Sequence, residues 1–230
     1  MTTPTPAMRQ MPLPLAGDTR PTFDNFVPGE NAPVLAHLRG LAMPAAPVYL
    51  WGPPGSGKTH LLGALVHAVQ AGGQRATGFD RRDSWGTALA PDAALVVIDD
   101  CDALDVAAQA AAFRLFVDAA TLGTQIVAAG RVPPVDLPLR EDLRTRLGWG
   151  PVFALQPLAD TGTRAALRRE ADRRGIFLSD EVMDHLLTRF ARDLKHLMQL
   201  LDRLDRFALA RSRPVTVPLL RQMLDEEGAP

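Results

Sequence analysis

A single cysteine, Cys101, in 230 residues excludes an internal disulfide and any cysteine-rich metal centre. Such scarcity fits a reducing, cytoplasmic setting, and leaves Cys101 the role of a small packing residue. No stretch approaches the roughly 20 apolar residues needed to cross a bilayer. The N-terminus has no basic head followed by an apolar run, so neither an export signal nor a membrane association is expected. Charge of one sign is also lacking. With 25 basic residues against 26 acidic ones, a nucleic-acid surface spread over the whole molecule is unsupported, and any DNA contact is expected to be weak or indirect. The five histidines are scattered without ligand spacing, and His60 and His67 stand two turns apart on one predicted helix, so no transition-metal site is expected.

What the chain does have is enough apolar residue, 47%, for one substantial core and a small second domain. Residues 1–21 contain Pro4, Pro6, Pro12, Pro14 and Pro21 and read as an extended, mobile tail, with order beginning near Thr22 and Phe23. Over 22–157 short apolar runs alternate with helical patterns. Strands are predicted at 48–51, 76–79, 95–98, 125–128 and 152–155, and helices at 58–70 and 109–122. That alternation is the signature of an α/β fold, a parallel sheet flanked by helices. From 158 to 230 no strand-like run remains. Amphipathic helices are predicted over 163–174, after Ser179, along Leu194, Leu197, Leu201, Leu204 and Ala208, and from Thr216, forming a small all-helical domain.

The most specific motif is the run Gly52, Pro53, Pro54, Gly55, Ser56, Gly57, Lys58, Thr59, a complete phosphate-binding loop preceded by the strand-like Val48, Tyr49, Leu50 and Trp51. The glycines let backbone N–H groups turn onto phosphate oxygens, Lys58 reaches the terminal phosphates, and the Thr59 hydroxyl can ligate Mg²⁺. The helix starting near His60 turns its positive end toward the same phosphates. A nucleoside triphosphate or diphosphate is the expected ligand, and the family resemblance below implies that it is ATP or ADP. A second apolar run, 95–98, ends in Asp99 and Asp100, which places carboxylates at the edge of the sheet beside the loop. Asp99 is expected to hold Mg²⁺ through water, and Asp100 stands where an acid could orient the attacking water.

Phosphate loop, acid-ended strand and trailing helical domain together resemble the AAA+ family of P-loop NTPases. The segment Thr22, Phe23, Asp24, Asn25, Phe26, Val27, Pro28, Gly29 is similar to one that packs along the adenine in the DnaA branch of that family. The resemblance implies that Phe26 and Val27 line the base pocket, with His60 among the nucleotide contacts; read alone, Phe23 and Phe26 serve equally well as a hydrophobic anchor. Residues 143–150, Leu-Arg-Thr-Arg-Leu-Gly-Trp-Gly, match a further segment of the same branch. By that likeness Arg146 is the arginine finger that one subunit offers to a neighbour's nucleotide, with Arg144 and Arg140 as competitors. Lys195 takes the place of the usual arginine of the second sensor, and a lysine supplies a point charge without the planar fork. After the strand at 125–128, relatives carry a polar first sensor. This chain has Ala129, Gly130 and Arg131, so weak autonomous hydrolysis is expected, with Arg131 facing either phosphate or solvent.

The tail narrows the resemblance. Gln10, Met11, Pro12, Leu13, Pro14 and Leu15 are similar to the short peptide with which bacterial proteins dock on the DNA polymerase III sliding clamp (its beta subunit). Prolines stiffen the segment and lower the entropy lost on binding, while Gln10 and the two leucines supply a directional amide and apolar anchors. A clamp-binding tail ahead of a DnaA-like module resembles the Hda family of DnaA-related regulators. The helical domain runs to Pro230, so no origin-reading helix-turn-helix domain is expected after it, and the connection over 71–94 is short for the helical insertion of initiators. The resemblance implies an ADP-bound negative regulator of replication initiation, held at the nucleoid through the clamp, that stimulates hydrolysis of ATP on DnaA. A homo-oligomer is compatible with it. An autonomous AAA+ ATPase such as a helicase loader is the alternative, and a small-molecule kinase lacks an acceptor motif here.

Overall fold

The computed structural model describes residues 20–80, 89–190 and 194–227, the side chains of Lys195 and Glu227 excepted. The tail with its clamp-like peptide and the Arg81, Arg82, Asp83 and Trp85 stretch lie outside the described residues. Five strands, β1 (Val48–Trp51), β2 (Arg75–Phe79), β3 (Ala93–Ile98), β4 (Gln125–Gly130) and β5 (Val152–Ala154), form one sheet in the order β2-β3-β4-β1-β5. Every pairing is parallel. Parallel strands need crossovers that cover the sheet, and both faces are accordingly buried.

Side chains on each central strand alternate between two cores, as the period of two demands. Val48, Leu50, Leu95, Val97, Val127 and Ala129 face α1 (Ala32–Arg39) and α2 (Lys58–Ala71). Tyr49, Val96, Ile98, Ile126 and Ala128 face α3 (Val106–Leu122) and α4 (Glu141–Leu147). Leu50 and Leu95 have no exposed surface, so truncating either to alanine would cost about 2–5 kcal/mol.

Residues 160–227 form the helices α5 (Asp160–Arg173), α6 (Asp180–Arg189), α7 (Leu194–Arg211) and α8 (Val217–Glu227), which enclose a separate core of Leu167, Met183, Leu186, Leu201, Leu204 and Leu220 among others. Ser179 caps α6 by accepting from the Val182 amide at 3.3 Å. Glu170 grips both Arg173 and Arg174, and Arg174 continues to Asp202 on α7 at 3.2 Å, a charged clasp across the first and third helices.

Several bounds differ from those the sequence predicts. α3 begins at Val106 rather than 109 because Asp105 caps it, accepting from the Ala108 amide at 2.8 Å. α5 begins at Asp160 rather than 163, and β5 ends at Ala154, one residue early. Two helices were not expected. α1 buries only Val34 and Leu38, and α4 only Leu143 and Leu147, so neither carries a repeating apolar stripe.

Candidate nucleotide-binding site

The phosphate loop joins the end of β1 to α2 at the carboxyl edge of the sheet, where ligands of open parallel sheets bind. Gly55 and Gly57 adopt φ of +78° and +94°, which an L side chain rarely takes. Gly57 is further required by space, since a Cβ there would lie 2.7 Å from the Phe26 ring. Lys58 is buried, and its ammonium donates to Gly52 O at 2.6 Å, Pro53 O at 2.9 Å and Ser56 Oγ at 3.3 Å. Burial pushes its pKa below the usual lysine value, against the pull of Asp99, Asp100 and Asp102. A buried cation beside a glycine-rich loop is the kind of arrangement that accepts phosphate.

Thr59 Oγ1 donates to Asp99 Oδ2 at 2.6 Å, bringing the loop hydroxyl and the carboxylate at the end of β3 together. These are hard oxygen donors of the kind that suit Mg²⁺. Burial raises the Asp99 pKa, and its hydrogen bonds from Thr59 and the Asp100 amide oppose that shift. Asp100 turns the chain at φ +50° into the short 3-10 segment Cys101–Ala103. Cys101 is fully buried, consistent with packing.

The segment before α1 lies against this loop. Phe26 is buried in the core beneath α2, with its ring 5.5 Å from that of His60. His60 Nε2 donates to Thr22 O at 3.0 Å, and burial lowers its pKa, favouring the neutral ring. Phe26 therefore anchors the domain and borders the phosphate loop at once, and Val27 follows it half-buried. Asn31, also buried, donates to Gln156 O and accepts from Gln156 N, both at 2.8 Å, tying this segment to the chain entering the helical domain. Arg169 on α5 reaches Asp24 O at 3.3 Å. The segment before α1 thus touches both the phosphate loop and the helical domain.

At the α4 edge, the three candidate arginines are in different states. Arg140 pairs with Asp142 at 2.6 Å, and Arg144 reaches Val135 O at 3.5 Å. Arg146 has no carboxylate partner among the described residues and rests between two rings, 4.7 Å from the centre of Phe113 and 5.2 Å from that of Trp149. Trp149 is itself exposed. Phe113, on α3, carried no sequence signal, because only the fold brings it beneath Arg146. Gly150 is fixed by close approach: a Cβ would lie 2.1 Å from Pro47 O. Lys195 falls in the first turn of α7, its side chain outside the described set.

Residues 160–224 match the model of the Hda lid domain. The helical domain is therefore similar to the Hda lid. Among solved structures, domain III of the replication initiation protein DnaA from Thermotoga maritima superposes with a TM-score of 0.71 at 20% identity, over 91% of this chain and 97% of that one. AMPPCP-bound DnaA from Aquifex aeolicus gives 0.66 at 20% identity, over 80% of this chain and 65% of that one. The Holliday junction branch migration motor RuvB of Thermotoga maritima gives 0.59 at 18%, covering 83% of this chain and 64% of its own. The matched residues run from the start of α5 through most of α8. No described helix is long and apolar enough to cross a membrane.

Proposed function

We propose that this chain is a nucleotide-bound regulator of replication initiation that offers Arg146 in trans to ATP held by DnaA. The observation that carries the reading is the Hda lid joined to an intact phosphate loop in a DnaA-like fold. ADP with Mg²⁺ occupies the cradle of residues 52–59, with Thr59 and Asp99 as the metal-side oxygens and Phe26, Val27 and His60 along the base. Lys195 completes the pocket from the lid. Bound nucleotide joins lid to sheet and so sets the presentation of the α4 edge. The Gln10–Leu15 peptide docks on a DNA-loaded sliding clamp, concentrating the protein where replication has begun.

Arg146 suits the role because its charge is not spent on a carboxylate among the described residues, and the Phe113 and Trp149 rings flank its guanidinium. A finger supplied in trans is worth roughly a thousandfold or more in related nucleotide hydrolases. The chain's own chemistry is slow in this account. Asp99 and Asp100 favour the alternative of an autonomous ATPase, but Gly130 supplies no side chain at the first-sensor position.

Docking is tested by hydrolysis of DnaA-bound ATP with and without DNA-loaded clamp. Changing Gln10, Leu13 and Leu15 to alanine should abolish the clamp-dependent stimulation and leave ADP affinity intact. Stimulation that ignores the clamp, or rapid ATP turnover by this chain alone, would overturn the reading.

A further inference from the structure

The end of β4 replaces a sensor side chain with a built arrangement. Gly130 pairs with Trp51 in the β4-β1 register, and its carbonyl accepts from Gly52 N, the first amide of the phosphate loop, at 3.3 Å. A Cβ on Gly130 would lie 2.1 Å from the Tyr49 hydroxyl, which donates to Val132 O at 3.1 Å and is fully buried. Tyr49 therefore fills the volume that a side chain at position 130 would need. The next residue, Arg131, is pinned twice by Asp102: its amide donates to Oδ1 at 3.0 Å, and Nε lies 3.4 Å from Oδ2. Asp102 is mostly buried, whereas Arg131 is mostly exposed, and the pair is made through Nε.

β4 lies between β3, which ends at Asp99, and β1, which enters the phosphate loop. Arg131 is thus at the sheet edge between the Thr59–Asp99 pair and Gly52, close enough to Lys58 to act on its charge. We propose that Arg131 is a phosphate ligand of this chain's own nucleotide, aimed by Asp102 at the terminal phosphate, and that it takes the place of the missing first sensor. A guanidinium held through Nε presents its remaining N–H groups as a fork matched to phosphate oxygens. It grips the nucleotide without a group that polarises water, so the pocket retains nucleotide rather than turning it over. The proposal rests on the nucleotide-binding reading above.

The test measures binding of ADP and of AMPPCP, each with Mg²⁺, by calorimetry on the full chain. Arg131→Ala should weaken AMPPCP about tenfold or more, as loss of a charged hydrogen bond implies, and ADP less. Arg131→Lys should recover part of the loss, and Asp102→Asn should show a smaller loss of the same selectivity. The unliganded melting temperature of Arg131→Ala should fall by only a few degrees, since Asp102 keeps its hydrogen bond from the residue 131 amide. Wild-type affinity for both nucleotides in Arg131→Ala, with Lys58→Ala still failing to bind, would overturn this inference alone. Failure of the wild type to bind either nucleotide would overturn the nucleotide reading with it.

Discussion

Asn31 and Asn25 make the same kind of bond in opposite surroundings, and the difference predicts opposite outcomes on truncation. Each side chain donates to one backbone carbonyl and accepts from one backbone amide: Asn31 to and from Gln156, Asn25 to Arg20 O and from Thr22 N. Asn31 is 4% exposed, while Asn25 is on the surface. In Asn31→Ala the Gln156 amide and carbonyl lose two part-buried hydrogen bonds. Two net hydrogen bonds and the partly unsatisfied groups they leave amount to about 2–4 kcal/mol. For a chain of this size that is a fall in melting temperature of about 5–15 °C. In Asn25→Ala water takes over both partners, and the cost should stay below about 1 kcal/mol. Thermal unfolding by circular dichroism, with ellipticity and tryptophan fluorescence recorded together, checks both. Equal losses in the two variants, or none in Asn31→Ala, would refute the claim that this clasp secures the junction to the lid.

Three further outcomes follow from the geometry. Gly150→Ala drives a Cβ into Pro47 O, 2.1 Å away, and should lower stability by about 1–3 kcal/mol in urea titration. Phe113→Leu removes one ring from beneath Arg146, and should reduce stimulation of DnaA-bound ATP hydrolysis about two- to fivefold with ADP affinity unchanged in calorimetry. The hydrogen bond from Arg173, followed by that from Arg174, holds the Glu170 carboxyl below its ordinary value of 4.5. A depressed carboxylate stabilises the fold above its unfolded pKa, and the gain is lost as pH falls through the folded value. Acid titration of lid unfolding should therefore show weakening below about pH 4.5 that is flattened in Glu170→Gln.

The parts visible in the sequence are those whose physics is local. The phosphate loop announces itself because its glycines, Lys58 and Thr59 act through adjacent backbone, and β1, β3 and β4 because doubly buried parallel strands read as continuous apolar runs. Ser179 and the α7 stripe are legible for the same reason. Long-range matches leave no such trace. Asn31 and Gln156 meet across 125 positions, and Phe113 comes under Arg146 only once α3 and α4 pack together. The lack of a polar first sensor across Ala129, Gly130 and Arg131 was evident, but not that Tyr49 fills the space beside Gly130, since the register of β1 on β4 decides that contact. The short α1 and α4 bury two side chains each and so lack the repeated spacing by which a helix is recognised.

The central claim is tested most directly by single-turnover hydrolysis of ATP on DnaA with DNA-loaded clamp, comparing wild type with Arg140→Ala, Arg144→Ala and Arg146→Ala, each first shown to bind ADP. The account predicts that Arg146→Ala alone loses the stimulation, by roughly a thousandfold or down to the rate of DnaA by itself. An Arg146→Ala protein that stimulates as well as wild type would contradict it.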